Sequence, residues 1–151
     1  MASLTYNNGS FRLQDRGSGT VDYLADTIEV VLTKSTYTAN KDDTTGTPAA
    51  SEITGVSGYT GGYAGAGRKV LASKTITNDT TNDRTVYAAA NPSAWTLGTG
   101  DTVGGVVVEK KGSANDTTAV PLFFCDITDF PTNGSTFTLT FDANGIGYTQ
   151  Q

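Results

Sequence analysis

The sequence predicts an all-β protein: one antiparallel β-sandwich, immunoglobulin-like or jelly-roll, with long polar loops and an N-terminal arm. Three observations lead there. Threonine is the commonest residue, 27 of 151, and glycine contributes 18 more, a pairing that favours strands and turns over helices. Short apolar stretches recur about every ten residues between clusters of Gly, Pro, Asn and Asp, which is the rhythm of a sandwich or barrel. No segment reads as a convincing helix. With 36% hydrophobic residues the chain can bury one core of ordinary size. It divides into an extended arm over residues 1–21 and a sandwich domain over 22–151.

The elements follow in order. Residues 1 to 20 are polar and turn-rich, with Asn7-Asn8-Gly9-Ser10 and Gly17-Ser18-Gly19, and predict an extended lead-in with at most a short turn at Phe11 to Gln14. In Thr27-Ile28-Glu29-Val30-Val31-Leu32, the residues Ile28, Val30 and Leu32 share one face with Glu29 opposite, the pattern of a half-buried strand; Tyr37 reads as extending that apolar face past the turn. Ala39 to Pro48 has almost nothing to bury and predicts an exposed loop. A short element at Ser51 to Val56 precedes the glycine-rich stretch Gly58 to Gly67. Val70 to Thr77 and Arg84 to Ala88, separated by the turn cluster Asn78 to Asp83, read as a hairpin. Ala88-Ala89-Ala90 lies too close to Pro92 to start a helix. Trp95 to Leu97 is a strand, Gly98 to Gly100 a turn, Val103 to Glu109 a strand and Lys110 to Thr118 a second polar loop. Pro121 to Ile127 is the most hydrophobic stretch and predicts a strand buried on both faces. After a turn at Asp129 to Ser135, Phe137, Leu139 and Phe141 alternate with Thr138 and Thr140, the clearest strand pattern in the chain. Asn144 to Tyr148 turns off the sheet.

Composition narrows the chemistry. The chain has no histidine, one cysteine and one methionine, which removes the usual residues of a Ser-His-Asp triad, a Cys-His dyad and a His/Cys zinc site. Net charge is −5, and the densest basic group is the pair Lys110-Lys111, so no basic field attracts nucleic acid. No apolar run is long enough to cross a bilayer, and Met1 to Phe11 lacks the apolar centre of a signal peptide; the expectation is synthesis in the cytosol, with no membrane insertion. Cys125, within Leu122-Phe123-Phe124-Cys125, reads as a buried inert thiol. Gly58 to Gly67 lacks the following helix and Lys-Ser/Thr pair of a phosphate loop and reads as a connection anchored by Tyr59 and Tyr63.

Carboxylates are the remaining catalytic resource. Asp126 and Asp129 lie three apart at a strand end, Asp42-Asp43 in a loop and Asp101 at a strand start, yet none shows a calcium-loop register, and all read as solvated turn residues. Tyr59, Tyr63, Tyr87 and Trp95 could line a sugar-stacking face or fill a core, and core is the commoner use. Asn-x-Ser/Thr triplets at Asn8, Asn78, Asn115 and Asn133 are expected by chance in such a composition. No catalytic, cofactor-binding or metal-binding residue is assigned, no cofactor is expected, and the chain is expected not to be an enzyme.

The order of segments resembles the small all-β proteins encoded among the virion structural genes of tailed bacteriophages. The resemblance rests on Asp26 to Leu32, Gly58 to Gly62, the hairpin Val70 to Tyr87, Trp95 to Val108, Pro121 to Asp126 and the closing Phe137 to Ile146. It implies a virion component, made in the bacterial host cytoplasm. The expectation is a capsid decoration (cement) protein on the head exterior, with neck, tail or fibre-attachment component and virion-surface carbohydrate-binding module as alternatives. Its partners would be the major capsid protein or other virion proteins and copies of itself, plausibly as a trimer, without nucleic acid or membrane.

Overall fold

The computed structural model describes residues 3–14, 20–44 and 48–150. Among the described residues the protein is all-β apart from one α-helix and two 3-10 turns, and its strands form antiparallel sheets. The largest sheet has five strands in the order β1-β8-β7-β2-β3, where β1 is Ser3–Thr5, β2 Ile28–Lys34, β3 Lys69–Val70, β7 Thr102–Lys110 and β8 Val120–Pro131. A three-stranded sheet has the order β10-β5-β4, from β4 Thr75–Asp79, β5 Arg84–Ala88 and β10 Gly147–Gln150. The third ladder joins β6 Trp95–Thr96 to β9 Thr136–Phe137.

The period-two pattern of β2 decides how the large sheet is used. Ile28, Val30 and Leu32 pack with Val106, Val108, Phe123 and Cys125 in the main core, which also takes Tyr87 from the second sheet and Trp95 and Phe137 from the third. The Tyr87 and Phe123 rings meet at 5.5 Å across that core. On the opposite face Val31, Val107 and Phe124 pack with Tyr6 in a smaller cluster. Both faces are thus covered, and Val120 to Cys125 are buried in succession, as the hydrophobicity of that stretch predicts. Beyond Cys125 the strand continues through Pro131 with its residues exposed or half-buried, absorbing part of the predicted turn.

The N-terminal segment departs from expectation. In place of an extended arm, Ser3–Thr5 pairs with β8, Ser3 opposite Cys125, and Asn7–Gln14 forms helix α1. Its sequence has weak helix propensity, so tertiary contact must supply the stability. Tyr6 is fully buried before the helix, and its hydroxyl is 2.7 Å from that of Tyr37. Gly9 lies against β8, where a Cβ would come 2.4 Å from the Pro121 carbonyl oxygen; only glycine allows that approach. The predicted Gly17-Ser18-Gly19 turn, residues 45–47 of the Ala39 to Pro48 loop, and Gln151 lie outside the described residues.

Three further differences have local causes. The predicted strand Val70 to Thr77 is two strands in two sheets: β3 ends at Val70, Leu71 turns into the core, and Ser73 takes a positive φ of 50° before β4 begins. Ser51 to Val56 holds no strand; a 3-10 turn at Pro48–Ser51 leads to one bridge between Glu52 and Thr33. Phe137 and Leu139 are buried and Phe141 half-buried, with Thr138 and Thr140 exposed, as their alternation predicts, but only Thr136–Phe137 finds a ladder partner. The C-terminal segment turns at Asn144–Gly145 and then returns to a sheet as β10.

Candidate functional site

The most chemically loaded place in the fold is at one end of the β2–β7 ladder. Glu29 and Glu109 are directly opposite one another in that register, and both are fully buried. Like charges opposed across a ladder repel, and burying a carboxylate is costly unless it is paired. The sequence places each glutamate among valines, where the alternation turns it toward the same face as Val31 and Val107.

Arg68 resolves most of the conflict. It precedes β3, which runs along the open edge of β2, and its side chain is 2% exposed. Nε and Nη2 form a fork on Glu52, at 3.0 Å to Oε1 and 2.7 Å to Oε2. Nη1 donates toward Glu29 at 3.1 Å, Glu109 at 3.2 Å and Asp116 at 2.6 Å. Planar, bidentate donation of this kind is specific to arginine. Lys111 adds a second cation, 3.4 Å from Glu29. Four carboxylates therefore face two cations, a formal excess of two negative charges.

The glycine-rich stretch wraps this cluster. Gly62 N–H donates to Glu52 Oε2 at 2.9 Å, and the Tyr59 hydroxyl donates to Glu52 Oε1 at 2.5 Å. A Cβ on Gly61 would lie 2.7 Å from the Glu52 carboxyl carbon, and Gly62 takes a φ of +82°. The loop thus cradles a carboxylate of its own chain. Tyr63 N–H donates to Asp116 Oδ2, its hydroxyl donates to the Ser113 carbonyl, and Lys111 sits 4.7 Å from its ring centre. The two tyrosines anchor the connection as the sequence predicts. Trp95 closes the arrangement, its indole N–H donating to the Gly67 carbonyl at 2.6 Å.

The electrostatics follow from geometry. Burial alone would weaken the hold of Arg68 on its proton, but the hydrogen bonds it donates to Glu52 and Asp116 and the field of the carboxylates reverse this, and its pKa is raised overall. Burial pushes the Glu109 carboxyl up to about 8; Arg68 pulls against this, and Glu29, Asp116 and Glu52 add to it. Glu109 is also the least satisfied member: its Oε2 is buried without a hydrogen-bond partner. Burial raises the Tyr59 hydroxyl, with Glu52 adding to the effect.

The acids singled out from the sequence are elsewhere. Asp126 and Asp129 are exposed. Asp101 accepts from the Thr54 and Thr102 N–H groups, Asp42 pairs with Lys41 and Asn7, and Asp43 accepts from the Tyr37 hydroxyl. Among the aromatic candidates Tyr59, Tyr87 and Trp95 are buried, leaving Tyr63 half-buried. Cys125 is buried, and burial pushes its thiol up to about 11. Lys110 is 2.9 Å from Asp26. Asn115 accepts from the Thr117 N–H and hydroxyl in the 3-10 turn Asp116–Thr118.

Among the described residues no helix is long and apolar enough to cross a membrane, and no group of three or more His, Cys, Asp or Glu is placed to hold a metal ion. Compared with protein-family models, curated proteins and solved structures, the chain matches none.

Proposed function

We propose that this chain is a non-enzymatic virion structural protein of a tailed bacteriophage, a capsid decoration (cement) protein bound to the head exterior. The observation that carries the reading is the use of its strongest chemistry. The charges of Arg68, Glu29, Glu52, Glu109 and Asp116 are directed at one another, and they tie two loops to a sheet. Such an arrangement serves rigidity, which a cement protein requires. The virion assignment comes from the order of segments between Asp26 and Ile146, and the layered sheets sharing the core at Tyr87 and Phe123 support a β-sandwich. Exposed Phe11, Leu24, Val70, Ile76 and Tyr148 are available for contacts with the major capsid protein, with other virion proteins or between copies in a homo-oligomer such as a trimer.

Quantitative mass spectrometry of purified virions, with the major capsid protein as internal standard, tests this. A copy number in the hundreds, commensurate with capsid subunits, is the expected result. A value from about three to a few dozen would overturn the decoration assignment in favour of a neck or tail position, and absence from the particle would overturn the virion reading itself.

A further inference from the structure

The Arg68 cluster has an imbalance that its structural role does not require. Nη1 carries two protons and faces three carboxylates, at 3.1 Å from Glu29, 3.2 Å from Glu109 and 2.6 Å from Asp116. The other three acids have additional partners. Glu52 receives the guanidinium fork, Tyr59 and Gly62; Asp116 receives the Tyr63 N–H; Glu29 has Lys111. Glu109 has only the longest of the three shared contacts, and its other oxygen is buried without any partner.

We propose that Glu109 is the proton-operated member of a latch: protonated, it lets the Arg68 cluster clamp the 58–68 and 111–118 loops onto the β2–β7 ladder, and ionised, it loosens that clamp. The charged and titratable groups facing it come from every packed element. They are Glu29 on β2, Arg68 before β3, Glu52 after the Pro48–Ser51 turn and Asp116 in the 3-10 turn. Lys111 acts through Glu29, and the Tyr6 and Tyr37 hydroxyls share the field on the same face. Ionising Glu109 raises the uncompensated negative charge from one to two, counted with both cations present, at a point where Glu29, Glu109 and Arg68 are all buried. The groups able to yield are the loops, because Asp116 has a quarter of its side chain exposed whereas Glu29 is fixed in the sheet. Release would widen the existing groove of about 510 Å³ lined by Glu52, Tyr59, Gly61, Gly62 and Asp116.

The protein carries its own reporter. Trp95, its sole tryptophan, is bonded to the residue preceding Arg68. Trp95 emission and far-ultraviolet circular dichroism are followed from pH 6 to 9.5, with amide hydrogen exchange, corrected for intrinsic rates, at either end. The wild-type emission is expected to change once, with a midpoint near pH 8 as the Glu109 carboxyl dictates. The dichroism should hold constant and exchange should rise only in 58–68 and 111–118. Glu109→Gln is expected to abolish the transition. Asp116→Asn, which removes one negative neighbour, should move the midpoint down by about half a unit to one unit; it decides the matter if Glu109→Gln does not fold. A flat wild-type profile, a transition unmoved by both variants, or exchange rising uniformly along the chain would overturn the proposal.

Discussion

Two cross-strand pairs on one face of the β2–β7 ladder, two residues apart, are buried by opposite means. Val31 faces Val107, and Glu29 faces Glu109. The valine pair is covered by Tyr6 and Phe124, with Leu4, Tyr37 and Ala39 packed against them. The glutamate pair is covered by Arg68 and the loops that Arg68, Tyr59, Tyr63 and Lys111 tie down. Apolar burial is non-directional and tolerates small adjustments. Ionic burial depends on every partner, because removing one leaves the rest desolvated. One face of one sheet therefore combines a forgiving end and an exacting end.

That contrast can be broken from either side. Arg68→Met should have the largest effect, a loss of about 3–5 kcal/mol in urea unfolding, since four carboxylates lose their shared donor. Replacing Glu29, Glu52, Arg68 and Glu109 together by Leu, Gln, Met and Leu should recover most of that loss; a quadruple variant as unstable as the single one would show that the cluster is more than a compensated burial. At the apolar end Val107→Ala should cost about 2 kcal/mol with no dependence on pH. The pH dependence belongs to the ionic end. Glu109 has a higher pKa folded than its ordinary value of 4.5, so its contribution is complete below about pH 4.5 and is lost as pH rises through about 8. The slope is at most about 1.4 kcal/mol per pH unit and should vanish in Glu109→Gln. Lys41→Ala, at the exposed Lys41–Asp42 pair, should change stability by less than about 0.5 kcal/mol.

The same contrast marks what the sequence makes legible. Apolar patterning is written locally, so the strand containing Ile28 to Leu32 could be read from its alternation, those containing Val106 to Val108 and Leu122 to Cys125 from their continuous apolar runs, and the inward and outward sides of Phe137 to Phe141 from alternation again. The ionic cluster is written across residues 29, 52, 68, 109 and 116 and exists only once the register sets Glu29 against Glu109. Glu29, opposite three apolar neighbours, reads as facing water, yet it is 1% exposed because the loops close over it. The available signal was a lone glutamate in each of two valine-rich strands together with a lone arginine at the end of a glycine run. Helix α1 was hidden for a related reason: its sequence is that of a turn, and it holds because Tyr6 and Gly9 seat it on β8.

The pairing of Ser3–Thr5 with Phe123 to Cys125 also sets a timetable. A strand near the start of the chain has its only described ladder partner some 120 residues later, and β8 in turn borders β7. During synthesis the ribosome must release residue 125 before β1 has an edge to join, so until then Tyr6 lacks Phe124 and α1 lacks the strand on which Gly9 seats it. The large sheet is therefore expected to close late and slowly, as loop-closure entropy dictates for distant pairings, and a nascent chain truncated before β8 should leave its N-terminal residues open to protease while the full chain protects them.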